Sequence, residues 1–120
     1  MAIKDRPKLK AFLVNTLRKA SYRWPSRYKA LKKYHIGRNE YYCASCGIIH
    51  GRREGSLDHI DPVIDPKTGW VDLDVYADRM FPETEEQWQR LCHDCHDEKT
   101  SAENEIRRAN RKPRKKKKKT

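Results

Sequence analysis

Leu9, Phe12, Leu13, Leu17 and Ala20 fall three or four residues apart. That is the period of one helix face, so the spacing predicts a helix from about Pro7 to Ala20. Lys10, Arg18 and Lys19 lie on its polar side. Trp24-Pro25 interrupts the pattern, because the residue before proline avoids the helical region. Ser26 is placed to cap a second helix with Tyr28, Leu31 and His35 on one face and Gly37 as its stop. From Tyr41 the character changes. Tyr41-Tyr42 reads as a short strand leading to Cys43, and Gly47, Gly51 and Gly55 read as turn positions. Leu57-Asp58-His59-Ile60 reads as a further short strand with Pro62 just beyond it. Residues 61–86 form a long polar insertion, with one helix expected over Val71 to Met80. A last helix is expected over about Asp94 to Arg111, where Glu103 and Arg107 stand one turn apart and can pair. No internal repeat is visible.

Helices and short strands segregate along the chain, so the expected fold class is α+β. Three segments follow from composition: a basic helical N-terminal arm over 1–40, a central domain over 41–111 and a basic tail over 112–120. The tail is too charged to pack and is expected to be disordered.

The chain has 120 residues, of which 36% are hydrophobic and 38% charged. A large apolar core is excluded, and a domain this small usually needs a staple. Its four cysteines come as two pairs, Cys43-Ala-Ser-Cys46 and Cys92-His-Asp-Cys95. No apolar run is long enough for a membrane span, and the charged N-terminus does not read as a signal peptide. The expected location is therefore cytoplasmic, where paired CxxC motifs favour metal over disulfide. Two such pairs complete a tetrahedral all-thiolate zinc site, which is closed and structural. A redox CxxC would sit beside a βαβ pattern, which is not found here.

The net charge of +11 is unevenly spread: +10 over residues 1–40, −7 over 41–100 and +8 over 101–120. Two basic arms that favour polyanions therefore flank an acidic middle that favours cations.

Between the cysteine pairs lies Asp58-His59-Ile60-Asp61-Pro62, and His96 follows the last cysteine directly. The second pair sits in Leu91-Cys92-His93-Asp94-Cys95-His96-Asp97-Glu98-Lys99. In this order the motifs resemble the HNH endonuclease family over roughly Tyr41 to Thr100. The insertion Asp65-Pro66-Lys67-Thr68-Gly69-Trp70, and the stretch around Trp24-Pro25, resemble small bacteriophage HNH proteins. The resemblance implies a ββα-metal (His-Me finger) fold for 41–111. It makes Asp58 and His96 the ligands of a catalytic Mg²⁺, Mn²⁺ or other divalent cation, and His59 the general base. The chemistry itself calls for these types: hydrolysis needs a deprotonated water and a cation against the developing phosphorane charge. Adjacent strand residues point to opposite faces, so Asp58 and His59 divide the two tasks between them.

The family's middle asparagine lies five residues before the third cysteine, where this chain has Gln87. Gln87 reads equally as a substitute brace for the base and as the end of a Thr84-x-x-Gln87 capping box. Lys99, one turn beyond His96, is placed to touch phosphate, as are Arg52 and Arg53 beside His50 in a Gly-rich loop. Arg114, Lys115, Lys116 and Lys117 form a tail expected to grip DNA. His93 reads as solvent-facing or as a support behind the zinc ligands, His35 as a residue of a helix surface or packing face, and Trp24 and Trp70 as core aromatics. The partner expected is DNA, together with phage packaging or replication proteins in a host cytoplasm. No membrane is expected, and the state is monomer or homodimer. The alternatives are a non-catalytic zinc-ribbon DNA-binding module and an accessory factor in phage DNA packaging.

Overall fold

A computed structural model describes residues 2–111; the tail over 112–120, with Arg114, Lys115, Lys116 and Lys117, lies outside the described residues. Helix α1 (Pro7–Ser21) opens on a proline, whose missing N–H is no loss in a first turn. Leu9, Leu13, Leu17 and Ala20 are half-buried, but Phe12 is 66% exposed, so the covered stripe is narrower than its sequence suggests. Helix α2 (Pro25–Tyr34) also opens on a proline. It ends three residues short of Gly37, because His35–Gly37 becomes strand β1. His35 therefore lies on a strand, its ring edge-on to Tyr41 at 5.3 Å.

Ser26 does not cap α2. Its Oγ donates to the Pro82 carbonyl at 2.7 Å, and Trp24 Nε1 donates to the same oxygen at 2.6 Å. Trp88 Nε1 in turn donates to Ser26 Oγ at 2.9 Å. A buried hydroxyl must be satisfied, and here a partner 56 residues away outcompetes the local backbone.

Strands β2 (Glu40–Tyr42) and β3 (Ile49–Gly51) join β1 in an antiparallel sheet of order β1-β2-β3, with Tyr41 opposite His50. Strands β4 (Gly55–His59) and β5 (Trp88–Cys92) form a second antiparallel sheet, pairing Gly55 with Cys92 and His59 with Trp88. Between them, Asp72 caps helix α3 (Leu73–Met80) by accepting from Val75 N at 2.8 Å. Helix α4 (His93–Asn110) follows β5 with no linker. Over the described residues the fold is thus α+β, with four α-helices and two small sheets.

Strand β5 is the element the sequence pattern hid. Gln87 and Gln89 alternate with Trp88 and Arg90, which are only 2% and 4% exposed. The core is small: Ala30 and Tyr34 from α2, Tyr76 and Met80 from α3, and Trp88 and Leu91 from β5. α2 packs on β5 and α1 on α3, so the N-terminal helices lie against the elements that carry the site. Among the described residues, no helix is long and apolar enough to cross a membrane.

Candidate metal centre and adjoining pocket

The loop after β2 is pinned before it reaches its cysteines. Cys43 N donates to Ile48 O at 3.0 Å and Ala44 N to Arg90 O at 2.8 Å, which ties the loop to β5. Gly47 closes the turn with φ of 76°, a conformation that strains side-chain-bearing residues, and donates to Cys43 O at 2.9 Å. Cys46 N points at Cys43 Sγ from 3.5 Å. From the other side, Cys92 ends β5 and Cys95 falls in the first turn of α4.

The four sulfurs lie within 4.8 Å of one another, and all four cysteines are free. Cys46 and Cys92 sulfurs are 3.8 Å apart, far from disulfide bonding. Four sulfurs about 2.3 Å from a central zinc stand about 3.8 Å from each other, so the cluster has the dimensions of a tetrahedral thiolate site. Among the described residues it is the one group of three or more such ligands placed to hold a metal ion. Its electrostatics also call for a cation. Burial pushes the Cys43 thiol up, yet N–H groups of Cys46, Cys92 and Ser45 outweigh it and bring the thiol down to about 6. Cys95, crowded by the sulfurs of Cys92 and Cys46, is pushed up to about 12. One thiol is ready to ionise and another resists, so four thiolates together need a positive charge among them.

At the other end of the β4–β5 hairpin from Cys92, a cavity of about 680 Å³ opens between His59, α4 and the N-terminal helices. Asp58, His59, His96 and Lys99 all line it. Helical spacing brings His96, Lys99 and Glu103 to one face of α4. The strand pleat sends Asp58 toward that face and His59 toward Trp88.

The Lys99 ammonium sits 2.6 Å from Asp58 Oδ2, 3.0 Å from the His59 carbonyl and 2.8 Å from Glu103 Oε1. Glu103 Oε1 lies off the hydrogen-bonding direction and no other donor reaches it. Burial alone pulls Lys99 down, but Asp58 and Glu103 outweigh it and raise its pKa. His59 stacks on Trp88 with ring centres 4.1 Å apart, and its Nε2 is 3.1 Å from the Met80 carbonyl. A carbonyl only accepts, so Nε2 carries the proton of the neutral ring and Nδ1 keeps its lone pair. Burial lowers the His59 pKa below its ordinary 6.5, against the opposing pull of the Met80 carbonyl. The ring is neutral at neutral pH and is a base with one basic atom.

Gln87 is exposed and its side chain turns inward on its own turn. Its amide oxygen accepts from Thr84 N at 3.1 Å and Thr84 Oγ1 at 3.3 Å. Its backbone accepts from the residue after His59, with Ile60 N donating to Gln87 O at 3.0 Å, and Gln87 and His59 together line a second cavity. Arg52 and Arg53 are exposed on the β3–β4 turn and do not line the cavity. His93 is exposed, with Nε2 2.8 Å from the Arg53 carbonyl. His50 is no loop residue. It is 6% exposed on β3, and its Nε2 accepts from Arg90 Nε at 2.9 Å. Arg90 also donates to Arg52 O at 2.8 Å and lies over the Tyr41 ring at 4.4 Å.

Four participants escaped sequence reasoning: Trp88, which stacks on the base; Arg90, which locks His50; and Arg18 and Arg27, which line the cavity. For Trp88 and Arg90 a signal existed, since their alternation with two glutamines continues directly into Cys92. No family model, curated protein or solved structure matches the chain.

Proposed function

We propose that this chain is a metal-dependent endonuclease of the HNH type, hydrolysing phosphodiester bonds of DNA. The observation that carries the reading is the cavity itself: one strand end and one helix face bring Asp58, His59, His96 and Lys99 to a single space. In this reading β4, β5 and α4 are the ββα-metal core, and zinc on the four cysteines sets the angle between hairpin and helix. Asp58 and His96 offer one oxygen and one nitrogen to a divalent cation, which would supply Lewis-acid stabilisation of the phosphorane charge. His59, with Nε2 held by the Met80 carbonyl, takes a proton from water at Nδ1. Lys99 then has a second task. Its ammonium now neutralises Asp58, so a cation arriving there competes with it and frees it to face a phosphate.

The test is supercoiled plasmid with Mg²⁺ or Mn²⁺. The parent chain is expected to nick or linearise it, and His59→Ala to lose about 10²- to 10⁴-fold in rate. Equal cutting by the two sinks the assignment of the base. One observation favours a second reading, a non-catalytic zinc-ribbon DNA-binding module: Asp58 already has a cationic partner in Lys99. Binding of plasmid without cutting, under every divalent cation, selects that module. Cutting that starts only when a packaging partner is added selects the accessory role.

A further inference from the structure

The far wall of the cavity belongs to the N-terminal helices. Val14, Arg18 and Ser21 recur four and three residues apart, so one face of α1 turns toward it. Arg27 reaches it from the first turn of α2. The cavity's carboxylates do not serve these two arginines. Asp58 and Glu103 pair with Lys99 and Arg107, and neither Arg18 nor Arg27 has an ion-pair partner among the described residues.

Arg27 is half-buried, with its guanidinium 4.7 Å over the Tyr22 ring. Burial lowers its pKa, yet arginine stays charged at neutral pH. A cation taken partly out of water without a counter-charge is costly until an anion meets it. Its position is also fixed. Trp24 and Ser26, just ahead of it, are held to the Pro82 carbonyl, and Ser26 is held to Trp88, which stacks on His59.

We propose that Arg18 and Arg27 form a phosphate clamp, holding one phosphodiester of a nucleic-acid strand across the cavity from His59 and Lys99. The planar guanidinium fork matches two phosphate oxygens, and stacking on Tyr22 aligns it in advance. The helices of residues 1–40 are then part of the binding site and not merely a diffuse basic attachment. Hydrolysis of that phosphodiester rests on the nuclease reading; its binding does not.

The experiment uses the full zinc-loaded chain and a short fluorescein-labelled DNA duplex, without added divalent cation so that binding is read apart from cutting. Arg27→Gln and Arg18→Gln are compared with Lys29→Gln and Lys32→Gln, which alter exposed lysines of α2 outside the cavity. Each arginine variant is expected to weaken binding and lower the slope of log affinity against log salt by about 0.9, the signature of one lost phosphate contact. Arg27→Lys should restore part of the affinity, since it keeps the charge and loses the fork. Equal losses from the lysine variants, or none from the arginine variants, overturn the clamp. Melting curves and zinc content check folding; Arg18, being exposed, keeps the test open if Arg27→Gln does not fold. Plasmid cleavage separates the two ideas. A parent that cuts and arginine variants that cut with unchanged KM overturn the clamp alone. A parent that never cuts, with arginine variants that still lose binding, overturns hydrolysis alone.

Discussion

The β1–β3 sheet with its cysteine cluster and the cavity at the end of the β4–β5 hairpin each hold a histidine out of bulk water. The two rings are treated in opposite ways. His50 has both nitrogens spoken for: Nε2 accepts from Arg90, and Nδ1 faces the Ile48 carbonyl at 3.4 Å. Its ring fills a space so tight that a Cβ added at Gly55 would lie 2.5 Å from Nε2. His59 has one nitrogen tied to Met80 and lines an open cavity. The residue type is the same, but His50 is buried and His59 only half-buried, and at His59 a lone pair is left over beside open space. The same contrast runs through the two regions as wholes. At the cysteine end, donors and acceptors close on each other. At the cavity end, the charges of Arg18 and Arg27 are left without ion-pair partners among the described residues.

The sharpest way to break this contrast is to deny the cysteine end the metal ion that its four sulfurs could hold. Structural zinc contributes roughly 10–16 kcal/mol in zinc-finger peptides, more than the whole stability of most small domains. Chelation, or Cys92→Ala, is expected to unfold the hairpin and α4. Circular dichroism should show lost helicity and no cooperative melt, and an unchanged melt would remove the cluster from its structural role. Thiolates must be unprotonated to bind, so metal and fold should be lost together as pH falls.

Next in size is the acid side of the rate profile. In the proposed role His59 would act only when neutral, and burial holds its pKa below 6.5. Cleavage should therefore stay level through pH 6.5 and fall, about tenfold per unit, only at lower pH. The sign is the same for stability: the unfolded chain takes up the proton first, so acid favours unfolding in that window. An acid limb centred well above 6.5 in kcat/KM would show that a different group is the base.

Gly55→Ala probes the closed region alone. The added methyl meets His50 Nε2 and the Leu91 carbonyl, both at 2.5 Å. Overpacking of this kind costs about 1–3 kcal/mol, so the melting temperature should drop by several degrees. Cleavage per folded molecule should hold, and an equally large loss of kcat would mean that the two regions are not separable. Smallest is Lys99→Met, which takes away the ammonium that competes for Asp58. The pair is less than a quarter exposed on each side, and such a contact is worth up to about 1 kcal/mol. Mn²⁺ should bind about two- to fivefold tighter by titration, while cleavage slows. Weaker Mn²⁺ binding would show that Lys99 positions the carboxylate and does not compete for it.

How much of this was legible beforehand follows the range of the interactions. α1, α3 and α4 are periodic, with α1 opened by Pro7 and α3 capped by Asp72, and their spans fall within a few residues of the pattern. The cysteine spacing alone states a metal site, because the i, i+3 knuckle is a local device. The end of α2 was not legible, since strand pairing to Tyr41 pulls His35 out of the helix. The His50–Arg90 bond joins residues 40 apart, and nothing near either one announces it. Arg18 and Arg27 looked like ordinary solvated helix charges. They face the cavity only because α1 packs on α3 and α2 packs on β5. A one-dimensional pattern gives the faces of helices well, but not which faces meet.

The Pro82 carbonyl, shared by Trp24 and Ser26, also sets an order of events in time. Those bonds span 58 and 56 residues, so neither forms until a long loop has closed. Sulfur ligation from Cys43 to Cys95 closes a loop nearly as long, but it needs nothing from the first 30 residues and so can come earlier. Seating of α2 is then a late step of refolding. A stopped-flow record should show metal uptake reaching its plateau before the indole signal of Trp24 does, and simultaneous phases would mean that both ends of the chain assemble at once.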